Sequence, residues 1–68
     1  MLDKSDRVLR LPQVMEMTGL RRSSIYDAMK RGSFPPPLAI GARARGWLLS
    51  QVQDWVRQRV EQARKGVA

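Results

Sequence analysis

Apolar residues recur at helical spacing near the start of this 68-residue chain, between Leu11 and Thr18. Leu11, Val14, Met15 and Thr18 share one face at spacings of three and four, as in an amphipathic helix. Pro12 suits the first turn because proline has no backbone N–H to lose there, and Gly19 suits the end because glycine readily adopts a positive φ. The pattern predicts a short helix that depends on packing against the rest of the chain.

A second helical pattern runs from Arg22 or Ser23 to Lys30, with apolar residues on one face and polar residues on the opposite face. Residues 19–21 separate the two patterns. Two short helices joined by a glycine-containing turn of roughly three or four residues are typical of a helix-turn-helix. We expect Leu20, in this turn, to fill the gap between the helices.

The next segment changes from helical to extended character. Prolines at 35–37 exclude both a helix and a central strand, so they predict a rigid connector, although a proline-rich ligand segment is the alternative. Residues 38–40 and 46–48 then have the character of two short strands. The sequence predicts a two-stranded wing whose tip carries Arg43 and Arg45.

A capping box, formed by Ser50 and Gln53, predicts that the last helix begins at Ser50. Its apolar positions again repeat at three and four, and we expect this stripe to pack back onto the other helices. The stripe comprises Val52, Trp55, Val56, Val60 and Ala63.

These elements predict a mostly α-helical winged helix-turn-helix, with three helices and a small β-hairpin wing. Residues 11–64 form the domain, residues 1–10 an N-terminal arm ending in Val8 and Leu9, and residues 65–68 a C-terminal tail. A domain of this size buries only about 60% of its unfolded surface, so the core is small. Both tryptophans sit at inward positions, which favours core packing over base stacking. The predicted core comprises Val14, Leu20, Ile25, Met29, Phe34, Trp47, Val52, Trp55 and Val56.

Composition narrows the function classes. The chain has no cysteine and no histidine, so it lacks disulfides, thiolate metal ligands, the commonest zinc ligand and the commonest general base. A small core also leaves little room for a catalytic cleft. We therefore expect neither an enzyme nor a bound cofactor or metal. Apolar runs are far shorter than the ~20 residues that span a bilayer, and the N-terminus lacks a signal-peptide pattern. We expect a cytoplasmic, nucleoid-associated protein with no membrane contact.

Positive charge is concentrated in the middle of the chain. The net charge is +7; the first 20 residues sum to zero, whereas residues 21–45 hold six cations against Asp27 alone. Such a block favours a polyanion-binding surface over a merely soluble face. Ten of the thirteen cations are arginine, which favours planar recognition of phosphate or guanine.

Several short motifs, in this order and spacing, carry a family resemblance. They are Leu11-Pro12, Thr18-Gly19-Leu20, Arg22-Ser23-Ser24-Ile25-Tyr26, Gly32-x-Phe34-Pro35-x-Pro37, Arg43, Gly46-Trp47 and Ser50-x-Val52-x-x-Trp55. From about Val8 to Val60 the chain resembles the AlpA family of phage-type regulators, small relatives of excisionase and MerR-like winged domains. It departs from the family pattern at Arg21, often serine, and at Asp27, often basic or neutral.

The resemblance implies that the second helix lies in the major groove of DNA with its first residues at base edges. Arg22 and Ser23 are then candidates for base contacts. Asp27 either accepts a hydrogen bond from cytosine N4 or pairs with Arg31 one turn later. The full set of DNA-binding candidates on this helix is Arg21, Arg22, Ser23, Ser24, Tyr26, Asp27 and Lys30. On the wing, Arg43 and Arg45 suit the minor groove or flanking phosphates.

The sequence is compatible with three functions. The first is sequence-specific regulation of prophage or mobile-element transcription on double-stranded DNA, with RNA polymerase as a partner. The second is an excisionase-like directionality factor that recruits an integrase. The third, from another class, is a protein adaptor or RNA-binding module that uses Leu48, Leu49 and the proline segment. Family members are often polar at both leucine positions; their exposure here would indicate self-association, although a place in the small core is favoured. We also expect weak self-association that supports cooperative assembly on repeated DNA sites.

Overall fold

A computed structural model of the protein describes residues 6–66, so the first five residues of the predicted arm and the last two of the predicted tail lie outside it. The described elements confirm the predicted mostly helical fold with three helices. In chain order they are β1 (Val8–Leu9), α1 (Leu11–Thr18), α2 (Arg22–Lys30), β2 (Leu38–Ala39), β3 (Arg45–Leu48) and α3 (Leu49–Gly66).

Helices α1 and α2 begin and end where local chemistry predicts. The backbone N–H of Arg10 donates to the Gln13 side chain at 2.9 Å, which fixes the first turn of α1. Gly19 has φ +72°, and its N–H donates to the carbonyl of Met15 at 2.8 Å, so α1 stops there. Gly32 has φ +75° just after the second helix, and the Ser33 N–H donates to the Ala28 carbonyl at 2.9 Å, so α2 ends there. The helix-turn-helix follows from these stops.

The sheet differs from the predicted hairpin because it has a third strand. Val8 pairs with Leu48 and Leu9 with Trp47, so β3 lies between β1 and β2 in an antiparallel sheet. At Gly46, a Cβ atom would collide with the Val8 side chain and approach the Leu9 carbonyl oxygen to 2.9 Å. The end of the predicted N-terminal arm is thus packed tightly into the domain. A two-residue strand has no readable period, so its long-range pairing leaves no local signal.

The core is small and takes side chains from all three helices and from β1 and β3. Its buried side chains are Leu9, Val14, Ile25, Ala28, Phe34, Trp47 and Val52. Four further residues of the predicted core are only half-buried at its edge: Leu20, Met29, Trp55 and Val56. The indole N–H groups of both tryptophans donate to the connector and the residues just before it, Trp47 to the Pro35 carbonyl at 3.0 Å and Trp55 to the Ser33 carbonyl at 2.7 Å. These bonds hold the connector against the core.

The start of α3 corrects the predicted capping box. The helix begins at Leu49, and both the N–H and the hydroxyl of Ser50 donate to the Asp6 carboxylate, at 3.0 and 2.8 Å. The N–H of Leu49 donates to the Arg7 carbonyl at 2.8 Å. Gln53 is therefore not the capping partner, because Asp6, two residues before β1, provides a charged acceptor at the helix start. The Ser50 backbone and hydroxyl donors, followed by the Arg7 N–H, lower the pKa of Asp6 below its usual value of 3.8.

The predicted apolar stripe of α3 packs only over its first half. Val52 is buried and Trp55 is half-buried, whereas Val60 is 44% exposed and Ala63 is exposed. The expectation that α3 packs back onto the domain is confirmed for the first half of the stripe, which contacts α1 and β3, and is wrong for Val60 and Ala63, because α3 continues beyond the edge of the core. Leu48 and Leu49 are half-buried, and Leu49 packs against the core, as the small-core interpretation expects. Within residues 6–66, no helix is both long and apolar enough to span a membrane.

Candidate nucleic-acid interface

Helix α2 presents a polar face directly away from the core. Ile25 and Ala28 are buried beneath it. At about 100° per residue, the opposite direction is occupied by Ser23, Asp27 and Lys30, all of which are exposed. The amphipathic pattern therefore positions three hydrogen-bonding side chains on the outermost surface of the helix.

One flank of α2 faces the wing across a cleft of about 500 Å³ that is rich in arginine. We call it the basic cleft. Four arginines line it, together with Leu11, Pro12, Tyr26 and Trp47: Arg10, Arg22, Arg43 and Arg45. No carboxylate is present among the described residues that line it. Because like charges around one concavity repel, the arrangement is suited to an anionic ligand that neutralises them.

Tyr26 lies at the centre of this wing-side surface. It is 42% exposed, and the Arg22 guanidinium lies 5.8 Å from the centroid of its ring. A cation at that distance interacts favourably with the aromatic face. A second cleft on the other side of Tyr26 is lined by Lys30, Arg45 and Trp47 and so extends the basic surface along α2.

The wing places its two arginines differently from the prediction. Arg43 is exposed in the turn, but Arg45 belongs to strand β3 and pairs with Ala39. The N–H of Ile40 donates to the Ala44 carbonyl at 2.9 Å, which closes the turn before Arg45. The predicted placement of both arginines at the wing tip is therefore corrected: one is at the tip and the other is on the strand beside α2.

The remaining candidates on α2 are divided between its surfaces. Arg21 precedes the helix with an exposed side chain that makes no capping hydrogen bond. Ser24 is half-buried on the flank that faces α3, with Arg31, and so lies away from the basic cleft. The structure brings Arg22 and Tyr26 together with the wing and keeps Ser24 apart from them.

Asp27 does not form the expected pair with Arg31. Among residues 6–66 the one ion pair joins Arg57 Nη1 to Asp54 Oδ1 at 3.4 Å. The Asp27 carboxylate is instead exposed on the outward face of α2, one turn from Ser23 and beside Lys30.

Arg10 is the member of the basic cleft that sequence reasoning missed. The first 20 residues carry no net charge, and this hid a cation that the fold places beside Arg22. Its position directly before Leu11-Pro12 could have indicated a fixed location for this cation, because the residue that precedes α1 is held at the helix start.

The chain is similar to known proteins over most of its length. Residues 7–60 match the family model described as prophage CP4-57 regulatory protein (AlpA). The chain is 39% identical over 61 residues to the uncharacterized protein ORF88 of Enterobacteria phage P4, which covers 90% of this chain and 69% of that protein. It is 36% identical over 59 residues to the DNA-binding transcriptional activator AlpA of Escherichia coli K12, which covers 78% of this chain and 84% of that protein. The range matched to the family contains the positions of all four arginines of the basic cleft.

Proposed function

Because the chain belongs to the AlpA family of prophage regulatory proteins, we propose that it binds specific double-stranded DNA sites and regulates transcription of prophage or mobile-element genes. The observation that carries the proposal is the basic cleft, which places four arginines beside the outward face of α2. The similar AlpA protein of Escherichia coli K12 is a DNA-binding transcriptional activator.

In the proposed complex, α2 enters the major groove. The outward side chains of Ser23, Asp27 and Lys30 then face base edges, as in other helix-turn-helix proteins. Asp27 accepts a hydrogen bond from cytosine N4, because its carboxylate is exposed and has no cation within 4.0 Å among residues 6–66. This face supplies sequence discrimination.

The basic cleft contacts the DNA backbone in the same complex. Arg10 and Arg45 flank α2 from the side of the wing, and Arg43 extends further along the duplex from the turn. The Arg22 guanidinium, which lies near the Tyr26 ring, is within reach of either a base edge or a phosphate in this complex. Phosphate contacts fix the position of the domain on the duplex without reading its sequence.

Several copies act together on one regulatory region. A single short helix reads only about three or four base pairs, and a motif of that length recurs by chance about every 64 to 256 base pairs, so one copy cannot single out a regulatory region among the competing sites. Copies on sites spaced about one helical turn apart meet the same side of the duplex. Cooperative assembly then supplies the missing specificity.

Immunoprecipitation of the protein followed by sequencing of bound DNA, with footprinting of the enriched regions, tests the proposal. We expect one short motif repeated near promoters, at spacings of about one helical turn. Inserting about half a turn between neighbouring sites should abolish cooperativity and leave single-site affinity intact. Uniform recovery of DNA without a motif would contradict sequence-specific regulation.

A further inference from the structure

We infer that a groove between α3 and the helix-turn-helix binds an acidic, amphipathic segment of a partner protein. The groove has a volume of about 580 Å³ and lies on the flank of α2 opposite the basic cleft. We call it the α3 groove. The apolar side chains that line it are Leu20, Ala28, Trp55, Val56, Val60 and Ala63.

The apolar character of the groove comes from the unpacked half of α3. Val52 is the last fully buried residue of the helix, yet the helix continues to Gly66. Val56, Val60 and Ala63 keep the spacing of a buried face although Val60 is 44% exposed. A helix that carries an apolar stripe beyond the core of its own domain has the pattern of a protein contact surface.

Charge at the edges of the groove defines the occupant. Arg31 lines it from the end of α2, and Arg59 lines it from α3. The Arg59 guanidinium lies 4.8 Å from the centroid of the Trp55 ring, which holds this cation over the groove. Among the described lining residues there is no carboxylate, and within residues 6–66 neither arginine has an acidic group within 4.0 Å. Apolar side chains flanked by carboxylates therefore complement the groove.

A second copy of this chain fits poorly. Residues 57–65 of α3 carry four cations against Glu61 alone, so two such helices repel when they pack together. DNA also fits poorly, because phosphates gain nothing from an apolar floor. An acidic amphipathic helix places apolar side chains against the floor of the groove and carboxylates beside the arginines at its edges.

The two flanks of α2 allow DNA and partner to bind at the same time. Arg22 and Tyr26 face the basic cleft, whereas Ser24 and Arg31 face the α3 groove. A partner seated in the groove lies beside the duplex without covering the cleft. The domain then carries that partner to the site that it occupies on DNA.

A synthetic peptide of about four helical turns tests this inference, with leucine at positions i, i+3, i+4 and i+7 and glutamate on the flanking positions. A matched peptide with lysine in place of glutamate is the control. Calorimetry measures the affinity for the full chain, and amide chemical shifts in NMR spectra locate the contact. We expect the acidic peptide alone to bind, with the largest shifts at Val60 and Ala63.

Variants then separate the groove from the rest of α3. Arg59→Ala should weaken peptide binding about two- to fivefold, the range for an exposed ion pair. Val60→Asp should weaken it more than about tenfold, because it puts an unpaired carboxylate on the apolar floor. Arg57→Ala makes the same charge change as Arg59→Ala on an exposed face that pairs with Asp54, and it should leave affinity unchanged.

Four results would overturn the inference. They are equal binding of both peptides, equal losses in Arg57→Ala and Arg59→Ala, no binding at about 1 mM acidic peptide, and groove shifts that depend on protein concentration without peptide, which would identify a second copy as the occupant. Duplex affinity of Val60→Asp should match that of the wild type, so the outcome is separable from DNA binding. A circular dichroism spectrum verifies that the variant is folded.

Discussion

The two flanks of α2 differ in chemistry although they belong to one nine-residue helix. The wing-side flank faces four arginines and an exposed tyrosine, and the α3-side flank faces an apolar groove with arginine only at its edges. The first suits a polyanion and the second suits a protein. A domain with one small core can therefore direct two kinds of contact from a single helix, because the core occupies only one of its faces.

The largest effect should come from removing the cations of the wing-side flank. Replacing Arg10, Arg22, Arg43 and Arg45 together by alanine should reduce duplex affinity about a thousandfold at 0.1 M salt, since each lost phosphate contact removes about 0.9 from the slope of log K against log salt. Fluorescence anisotropy with a labelled duplex measures the loss. The double variant Arg31→Ala, Arg59→Ala, which removes two cations from the other flank, should lose less than about threefold. Equal losses would erase the difference between the flanks.

The next effect concerns stability on the α3 side. Trp55→Ala should lower the free energy of unfolding by about 2 to 4 kcal/mol, below the full range for a buried aromatic because the side chain is half-buried. The variant loses the edge contact with Phe34, whose ring centroid lies 5.1 Å away, and the hydrogen bond to Ser33. Val60→Ala should change stability by less than about 0.5 kcal/mol. If thermal melts showed that Val60→Ala lowers stability as much as Trp55→Ala is expected to, Val60 would be packed and the groove would not be open.

A specificity change tests the outward face between the flanks. Asp27→Ala should relax the preference at one base pair by about 1 to 3 kcal/mol while leaving the salt dependence of binding intact. Asp54→Ala, which removes an acid from α3, serves as the matched control. Selection from a randomised duplex pool reads the preference. An unchanged motif in the Asp27 variant would remove this residue from base recognition.

A smaller, pH-dependent effect tests how Asp6, just before β1, holds the start of α3. The lowered pKa of Asp6 means that its carboxylate stabilises the fold above its usual value of 3.8, and that this stability is lost as pH falls through the lower folded value. Wild-type stability should therefore drop on acidification below about pH 4 more than that of Asp6→Asn. Urea titrations across this range measure the difference; parallel curves would show that the contact to Ser50 contributes nothing.

Elements with local signals were predictable from the sequence. Pro12, Gly19 and Gly32 mark helix boundaries through backbone preferences of single residues, and these boundaries are confirmed. The resemblance to the AlpA family is confirmed by the match to residues 7–60. The motifs that carried it lie in and around the same helices.

Features that depend on distant parts of the chain were not predictable. Strand β1 exists because Leu9 pairs with Trp47, and the cap of α3 comes from Asp6, 44 residues before Ser50. Arg10 joins the basic cleft for the same reason. The second half of α3 has the same apolar spacing as a packed helix, so only the structure shows that its face is open.

The salt dependence of duplex binding distinguishes the two flanks of α2, because variants of each flank report how many phosphate contacts that flank makes. For the wild type, about four to six contacts predict a slope of log K against log salt of roughly −4 to −5. The four-arginine variant of the basic cleft should be shallower by about 3.6, and the Arg31→Ala, Arg59→Ala variant should match the wild type within about 0.5. A four-arginine variant whose slope stays within about one of the wild type would contradict the assignment of DNA binding to this cleft.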